Sequence, residues 1–272
     1  MTNRILSLAA LTTLDVPPPE QVRIAAEAGY THVGLRLLPA TPTDPDYDML
    51  GDTAAVRDTL AALRETGIGV SDAEIVRLTP DFALDDRMQL FLATAGRLGA
   101  GQVLVAGNDP DRRRAADNLA RLAEAGKPYG LTMNLEPMPW TDVRNLADAQ
   151  ALIRESGRDD VGILVDAIHF WRAGETLKNL AGVPASALNY MQICDAPARA
   201  PDSEQELIAQ ARGARMVPGE GGLDLHGLMR ALPASLPVSV EVPLGGELGK
   251  LPALVRARRL ADATRAYLHS AC

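Results

Sequence analysis

Short runs rich in apolar and β-branched residues alternate along the chain with longer stretches whose apolar positions recur every three or four residues. The short runs cover residues 5–11, 32–37, 69–75, 102–106, 132–138, 161–166, 189–194 and 238–242. Between them, 22–28, 54–64, 88–98, 115–125, 146–155 and 251–268 carry the spacing of one-sided helices. Gly29, Gly67, Gly99 and Gly157 fall where helix C-caps are expected, and Pro17-Pro18-Pro19 and Asp109-Pro110 where helices begin. Eight strand–helix units in 272 residues, about 34 per unit, predict an α/β chain with a parallel sheet. A closed (β/α)8 barrel occupying 1–272 as one domain is the simplest arrangement. A doubly wound open sheet would call for a glycine-rich turn after its first strand, and Ala9-Ala10-Leu11-Thr12-Thr13 is not one. The polar, proline-containing segment 196–213 is expected to be an irregular loop near the site.

Composition narrows the partners. Hydrophobic residues make up 47% of the chain and charged ones 23%, the balance of a folded domain. Twenty-seven Lys and Arg against 35 Asp and Glu leave a net charge of −8, which argues against a nucleic-acid footprint. Cys194 and Cys272 are too few and too far apart for a disulfide framework or a cysteine zinc site. No signal-peptide pattern and no run of roughly 20 apolar residues is present, so a cytoplasmic protein that does not engage a membrane is expected.

In a barrel of this kind the chemistry sits at the C-terminal strand ends. The last four runs each carry an oxygen donor there: Asn-Leu-Glu136-Pro, Leu-Val-Asp166-Ala, Tyr-Met-Gln192-Ile and Ser-Val-Glu241-Val. Alternation puts Asn134 with Glu136, Leu164 with Asp166, Tyr190 with Gln192, and Ser239 with Glu241 on shared faces. Consecutive barrel strands are neighbours, so the four donors are expected to converge. Three carboxylates and an amide oxygen buried together call for a cation. Oxygen donors favour one hard divalent ion, Mn2+ or Mg2+, over Co2+ or Zn2+. A single strand-end acid is otherwise ordinarily solvated or capping a helix; the ordered set is what points to a metal.

At these residues the chain resembles the xylose-isomerase-like TIM barrel superfamily, which includes sugar isomerases and epimerases and the endonuclease IV group. The resemblance covers nearly the whole length. It rests on the ligand order Glu136, Asp166, Gln192, Glu241, on the step Asp166-Ala-Ile-His169, and on Arg215-Met-Val-Pro218-Gly219. Ketose 3-epimerases of the superfamily commonly have His where this chain has Gln192; metal-dependent 3-dehydroshikimate dehydratases match better there. A multi-metal DNA-repair site would require more histidines than His32, His169, His226 and His269.

Three functions compete. The first is a divalent-metal-dependent isomerase or epimerase that acts on a sugar or related polyhydroxy carbonyl compound through an enediolate. Glu136 and Glu241 would be its acid/base pair and His169 a proton carrier. The second is a lyase of the 3-dehydroshikimate dehydratase type using the same residues. The third is a carbohydrate-binding barrel without turnover, which would have no need of two acid/base carboxylates. Arg215 is a candidate clamp for a substrate carboxylate, phosphate or hydroxyl, against the alternative of a surface arginine in a basic run with Arg212. Arg36 and Glu74 are candidates for the far side of the pocket, against the alternative of ordinary solvated strand-end charges, and Trp140, Phe170 and Trp171 are candidates for its wall, against core packing. His32, His226 and His269 are expected outside the site, and Cys194 as a buried apolar residue. The absence of a glycine-rich cradle favours an unphosphorylated small molecule as partner, and the homo-oligomeric state stays open.

Overall fold

The computed structural model describes residues 4–243 and 245–271. Cys272 lies outside the described residues. Eight parallel strands pair in chain order: β1 (Leu6–Leu8), β2 (His32–Arg36), β3 (Gly69–Leu78), β4 (Gln102–Gly107), β5 (Thr132–Leu135), β6 (Gly162–Asp166), β7 (Leu188–Ile193) and β8 (Val238–Val240). β8 pairs back onto β1, with Leu6 opposite Val238 and Leu8 opposite Val240, so the barrel is closed.

The long helices are α1 (Pro18–Glu27), α2 (Ala54–Thr66), α3 (Asp86–Leu98), α4 (Arg112–Gly126) and α5 (Leu146–Ser156). Helices α6 (Ala167–Arg172), α7 (Leu177–Ala181), α8 (Glu204–Gly213), α9 (Leu225–Ala231) and α10 (Gly246–Gly249) follow, all short except α8, and α11 (Ala253–Ala271) closes the ring. Local chemistry sets their ends. Thr53, Asp85, Asp111 and Asn145 each accept a hydrogen bond from a first-turn N–H. Gly67, Gly99 and Gly157 cap C-termini at positive φ. Pro18 opens α1, whereas Pro110 lies before α4, whose cap is Asp111.

Outward strand residues such as Leu8, Leu35, Val103, Leu135, Val165 and Ile193 pack against Val22, Phe91, Leu119 and Leu152 of the helices. Each such side chain contributes roughly 1.5–3 kcal/mol when fully buried. Inward positions on the lower level are smaller or polar. Ser7, Asn134 and Ser239 are buried. Asn189 Nδ2 donates to Asn134 Oδ1 at 2.7 Å, and Asn134 Nδ2 to Gln102 Oε1 at 2.7 Å. Above this network Ile75, Leu104, Ala106, Met138, Leu164 and Tyr190 form a small apolar plug.

Several boundaries differ from the sequence pattern. β1 stops at Leu8 and a 3-10 turn occupies Ala10–Thr13, because Thr12 folds over β8: its Oγ donates to Val240 O and accepts from Val242 N. β5 ends at Leu135 because Met138 and Thr141 form a tight turn with Val143. β3 runs on to Leu78, pairing Val76–Leu78 with Val105–Gly107. Segment 196–213 is not wholly irregular, since α8 fills its second half. Its helix buries only Ala211, so no apolar period marked it.

Candidate active site

Glu136 follows β5 directly, and Asp166 is the last residue of β6. Asp166 also caps α6: its Oδ1 accepts from Ile168 N at 2.9 Å and His169 N at 3.1 Å. That cap turns the chain so that His169 Nε2 comes within 3.7 Å of Glu136 Oε1. Glu136, Asp166 and His169 each offer a donor atom, all within 4.8 Å of one another and all buried. Gln192 of β7 sits beside Asp166 in the strand register and donates from Nε2 to Glu241 Oε1 at 2.9 Å. Its Oε1 is buried with no hydrogen-bond partner.

Arg215 ties the group together. Its guanidinium lies 2.5 Å from Asp166 Oδ2 and 2.8 Å from Glu241 Oε2, and its Nε donates to Ala211 O at 2.7 Å. With 3% of its side chain exposed it is no surface arginine. Positive charge from the protein therefore offsets part of the carboxylate cluster that the sequence alone left for a metal to balance.

Burial pushes the Glu136 carboxyl well above the usual range, and the charges of Glu241 and Asp166 add to the rise. Burial likewise raises Glu241 to about 8, although Arg215 opposes it. For Asp166 burial acts upward too, but Arg215, His169 and the α6 backbone outweigh it and hold the carboxyl low. His169, lowered to about 4 by burial, is neutral near pH 7. Cys194, pushed up to about 12 by burial, stays a thiol and is no nucleophile.

A solvent-open cleft of about 1010 Å³ sits over this group, and Arg36, Arg77, Glu136, Trp140, His169, Arg212, Arg215 and Glu241 line it. Trp140 stands edge-on to His169 with centroids 4.9 Å apart. Arg36 reaches the cleft but is held by Glu74 at 2.8 Å and Asp44 at 3.2 Å. Glu74 is not part of the wall: it is fully buried behind Arg36. Phe170 and Trp171 pack edge-to-face on each other and into the outer core. His32 begins β2, while His226 stacks on Tyr267 at 4.3 Å and His269 lies on α11.

Sequence reasoning missed Arg77, Arg212 and the buried Asp72. Arg77 lay two residues past the expected end of the third run, at the parity of Ile75, which was the available signal. Arg212 fell in the segment read as loop. Asp72 is buried inside the barrel, where Ser71 Oγ donates to it at 2.5 Å.

The residues fit a divalent ion. Three donors already cluster, Gln192 holds an unpartnered buried oxygen, and the burial that raises Glu136 and Glu241 would be relieved by a cation.

The sequence profile of the xylose isomerase-like TIM barrel family matches residues 22–266, and the chain belongs to that family. A 3-dehydroshikimate dehydratase of Pseudomonas aeruginosa is 30% identical over 131 residues, 47% of this chain and 20% of its own. One of Pseudomonas putida is 24% identical over 251 residues, covering 86% of this chain and 37% of its own. The chain thus spans well under half the length of these relatives. Inosose isomerases, that of Bacillus subtilis among them, are also similar. Among solved structures, the IolI protein with a bound zinc atom superposes with a TM-score of 0.77 at 20% identity, covering 98% of this chain and 99% of its own. Related members are enzymes: dehydratases, isomerases and epimerases.

Proposed function

We propose that the protein is a divalent-metal-dependent enzyme that removes the proton next to a carbonyl of a small polyhydroxy substrate, through an enediolate. The observation that carries this reading is the buried group of Glu136, Asp166 and His169 on the cleft floor, with the open oxygen of Gln192 beside it. Glu136, Asp166, Gln192 and Glu241 are the proposed ligands, and their oxygen donors favour Mn2+ or Mg2+. When bound, the ion would supply Lewis acidity to the carbonyl and stabilise the negative charge that develops beside it.

Glu136 is the proposed base. It alone of the three strand-end carboxylates has no arginine on it, and burial with its acidic neighbours strengthens its hold on a proton. His169, neutral and 3.7 Å away, is the proposed carrier: it takes up the proton that Glu136 has removed from the substrate and passes it to the departing hydroxyl, which leaves as water. Glu241, held by Arg215 and Gln192, is constrained as a second mobile base. That asymmetry supports elimination of water over two-faced epimerisation. The dehydratase match across 86% of this chain supports the same choice. Isomerisation or epimerisation is the second reading, supported by the inosose isomerase relatives and by Glu241 lining the same cleft.

The test is turnover of the Mn2+-loaded protein in D2O with 3-dehydroshikimate, inosose and a panel of ketoses. A conjugated, ultraviolet-absorbing product from 3-dehydroshikimate is the expected result. Deuterium in a recovered isomer without elimination would establish the second reading instead. No exchange and no product with any of them would overturn both.

A further inference from the structure

Four arginines line the cleft, and their partners divide them into two pairs. Arg36 is neutralised by Glu74 and Asp44, and Arg215 by Asp166 and Glu241. Arg77 and Arg212 make no ion pair with any carboxylate among the described residues. Arg77 uses a single hydrogen bond, from Nη1 to Asn108 Oδ1 at 3.1 Å, and leaves its other donors open. It is half-buried; burial and the nearby charges of Arg212 and Arg36 work against its own charge, while Glu136 and Asp44 favour it without forming an ion pair with it. Arg212 is exposed at the rim and Arg77 half-buried, and neither guanidinium is tied to a carboxylate of the described residues. Two neighbouring cations on one cleft, each with donors left open, are placed to receive an anionic group of the ligand.

We propose that Arg77 and Arg212 form the binding site for a carboxylate of the substrate, which makes this protein's substrate a polyhydroxy acid and not a neutral sugar. The inference rests on the cleft being a substrate site, as proposed above, and adds the charge of what enters it.

The carboxylate takes precedence over a phosphate on the character of the wall. Phosphates are typically cradled by backbone N–H groups at a helix start or a glycine-rich turn. Here the cleft is lined by side chains on barrel strands and loops, Ile75, Leu104 and Met138 among them, with no glycine-rich turn among the described residues that line it. The pair also spans two elements of unlike stability. Arg77 is fixed on a barrel strand, whereas Arg212 rides on α8, whose one buried residue is Ala211. Arg215, three residues on, reaches to the cleft floor, so one stretch of chain carries a floor cation and a rim cation.

Matched probes test this on the whole protein, with Mn2+ and after chelation, by calorimetry. Quinate is a cyclohexane polyol bearing a carboxylate, myo-inositol an uncharged one, and myo-inositol 1-phosphate its phosphorylated form. The expected result is quinate bound at least about 10-fold tighter than myo-inositol. Arg77→Gln and Arg212→Gln should each weaken quinate by about 10- to 100-fold, the scale of one charge-assisted contact, and leave myo-inositol unchanged. Added salt should narrow the preference in the wild type and not in the double variant. Quinate no tighter than myo-inositol, or unaffected by both substitutions, overturns the proposal, and so does myo-inositol 1-phosphate outbinding quinate. Loss of quinate selectivity in a chain that still binds Mn2+ defeats this inference alone. Retained selectivity in a chain that binds no metal defeats the metal-dependent reading and leaves the arginine pair standing.

Discussion

Arg215 divides the three strand-end carboxylates into two kinds. Asp166 and Glu241 each lie within 2.8 Å of its guanidinium, whereas Glu136 forms no ion pair with an arginine among the described residues and has the neutral imidazole of His169 at 3.7 Å. Substituting the two glutamates should therefore have different consequences. Glu136→Gln keeps shape and an oxygen donor but loses the base, so kcat should fall at least ~10²-fold with little change in the melting temperature of the metal-free protein. Glu241→Gln should lose activity too, and also about 1–3 kcal/mol of stability, because Arg215 keeps one carboxylate where it had two. Steady-state kinetics paired with thermal melts of both variants check this. Near-wild-type turnover in Glu136→Gln would remove it from the chemistry, and equal stability in the two variants would mean that Arg215 does not depend on Glu241.

At the scale of the element, the barrel depends on what points inward. Gly162 begins β6 under the asparagine network: a Cβ there would sit 2.0 Å from Asn189 Nδ2 and 2.5 Å from Asn134 Oδ1. These two atoms are joined to each other by a hydrogen bond at 2.7 Å, and Asn134 is held in turn by its Nδ2 donating to Gln102 Oε1 at 2.7 Å, so neither side chain can simply swing away. Gly162→Ala should destabilise by about 1–3 kcal/mol, the scale of overpacking, and urea unfolding would show it as a lower midpoint with unchanged slope. A midpoint equal to the wild type would mean the network repacks freely. The eight strands were legible in the sequence because their outward faces are apolar without interruption, as in Val103, Val105, Ile163 and Val165. The strand-end donors were legible for the same reason: Glu136, Asp166, Gln192 and Glu241 each interrupt or end such a run. What escaped is what apolar period does not report. Arg77 extends β3 through backbone pairing with β4, α8 is a polar helix defined by its Ser203 cap, and α6 exists because Asp166 caps it. Glu74 was assigned to the pocket wall by its position at a strand end, and only the packing of Arg36 across it shows that it lies behind.

For the molecule as a whole, no described helix is long and apolar enough to cross a membrane, and the net charge is −8. Within that acidic chain the cleft floor gathers carboxylates whose burial makes ionisation costly, so a cation bound there should stabilise the entire fold and not only the site. The stabilisation follows mass action: an ion present at about 100 times its dissociation constant adds roughly 2.7 kcal/mol. For a chain of this size each kcal/mol moves the melting temperature by about 2–4 °C. Mn2+ at saturation should therefore raise the midpoint of the chelator-treated protein by roughly 5–10 °C in a calorimetric or fluorescence melt. The informative control is Glu136→Gln, which withdraws a charged donor without unpairing Arg215 and should lose most of the rise while its chelated form melts near the chelated wild type. Asp166→Asn is the poorer control, because it strips Arg215 of a buried partner and lowers the baseline itself. A midpoint that Mn2+ and Mg2+ leave unmoved, or a rise that survives Glu136→Gln undiminished, would place the ion elsewhere or remove it from this barrel altogether.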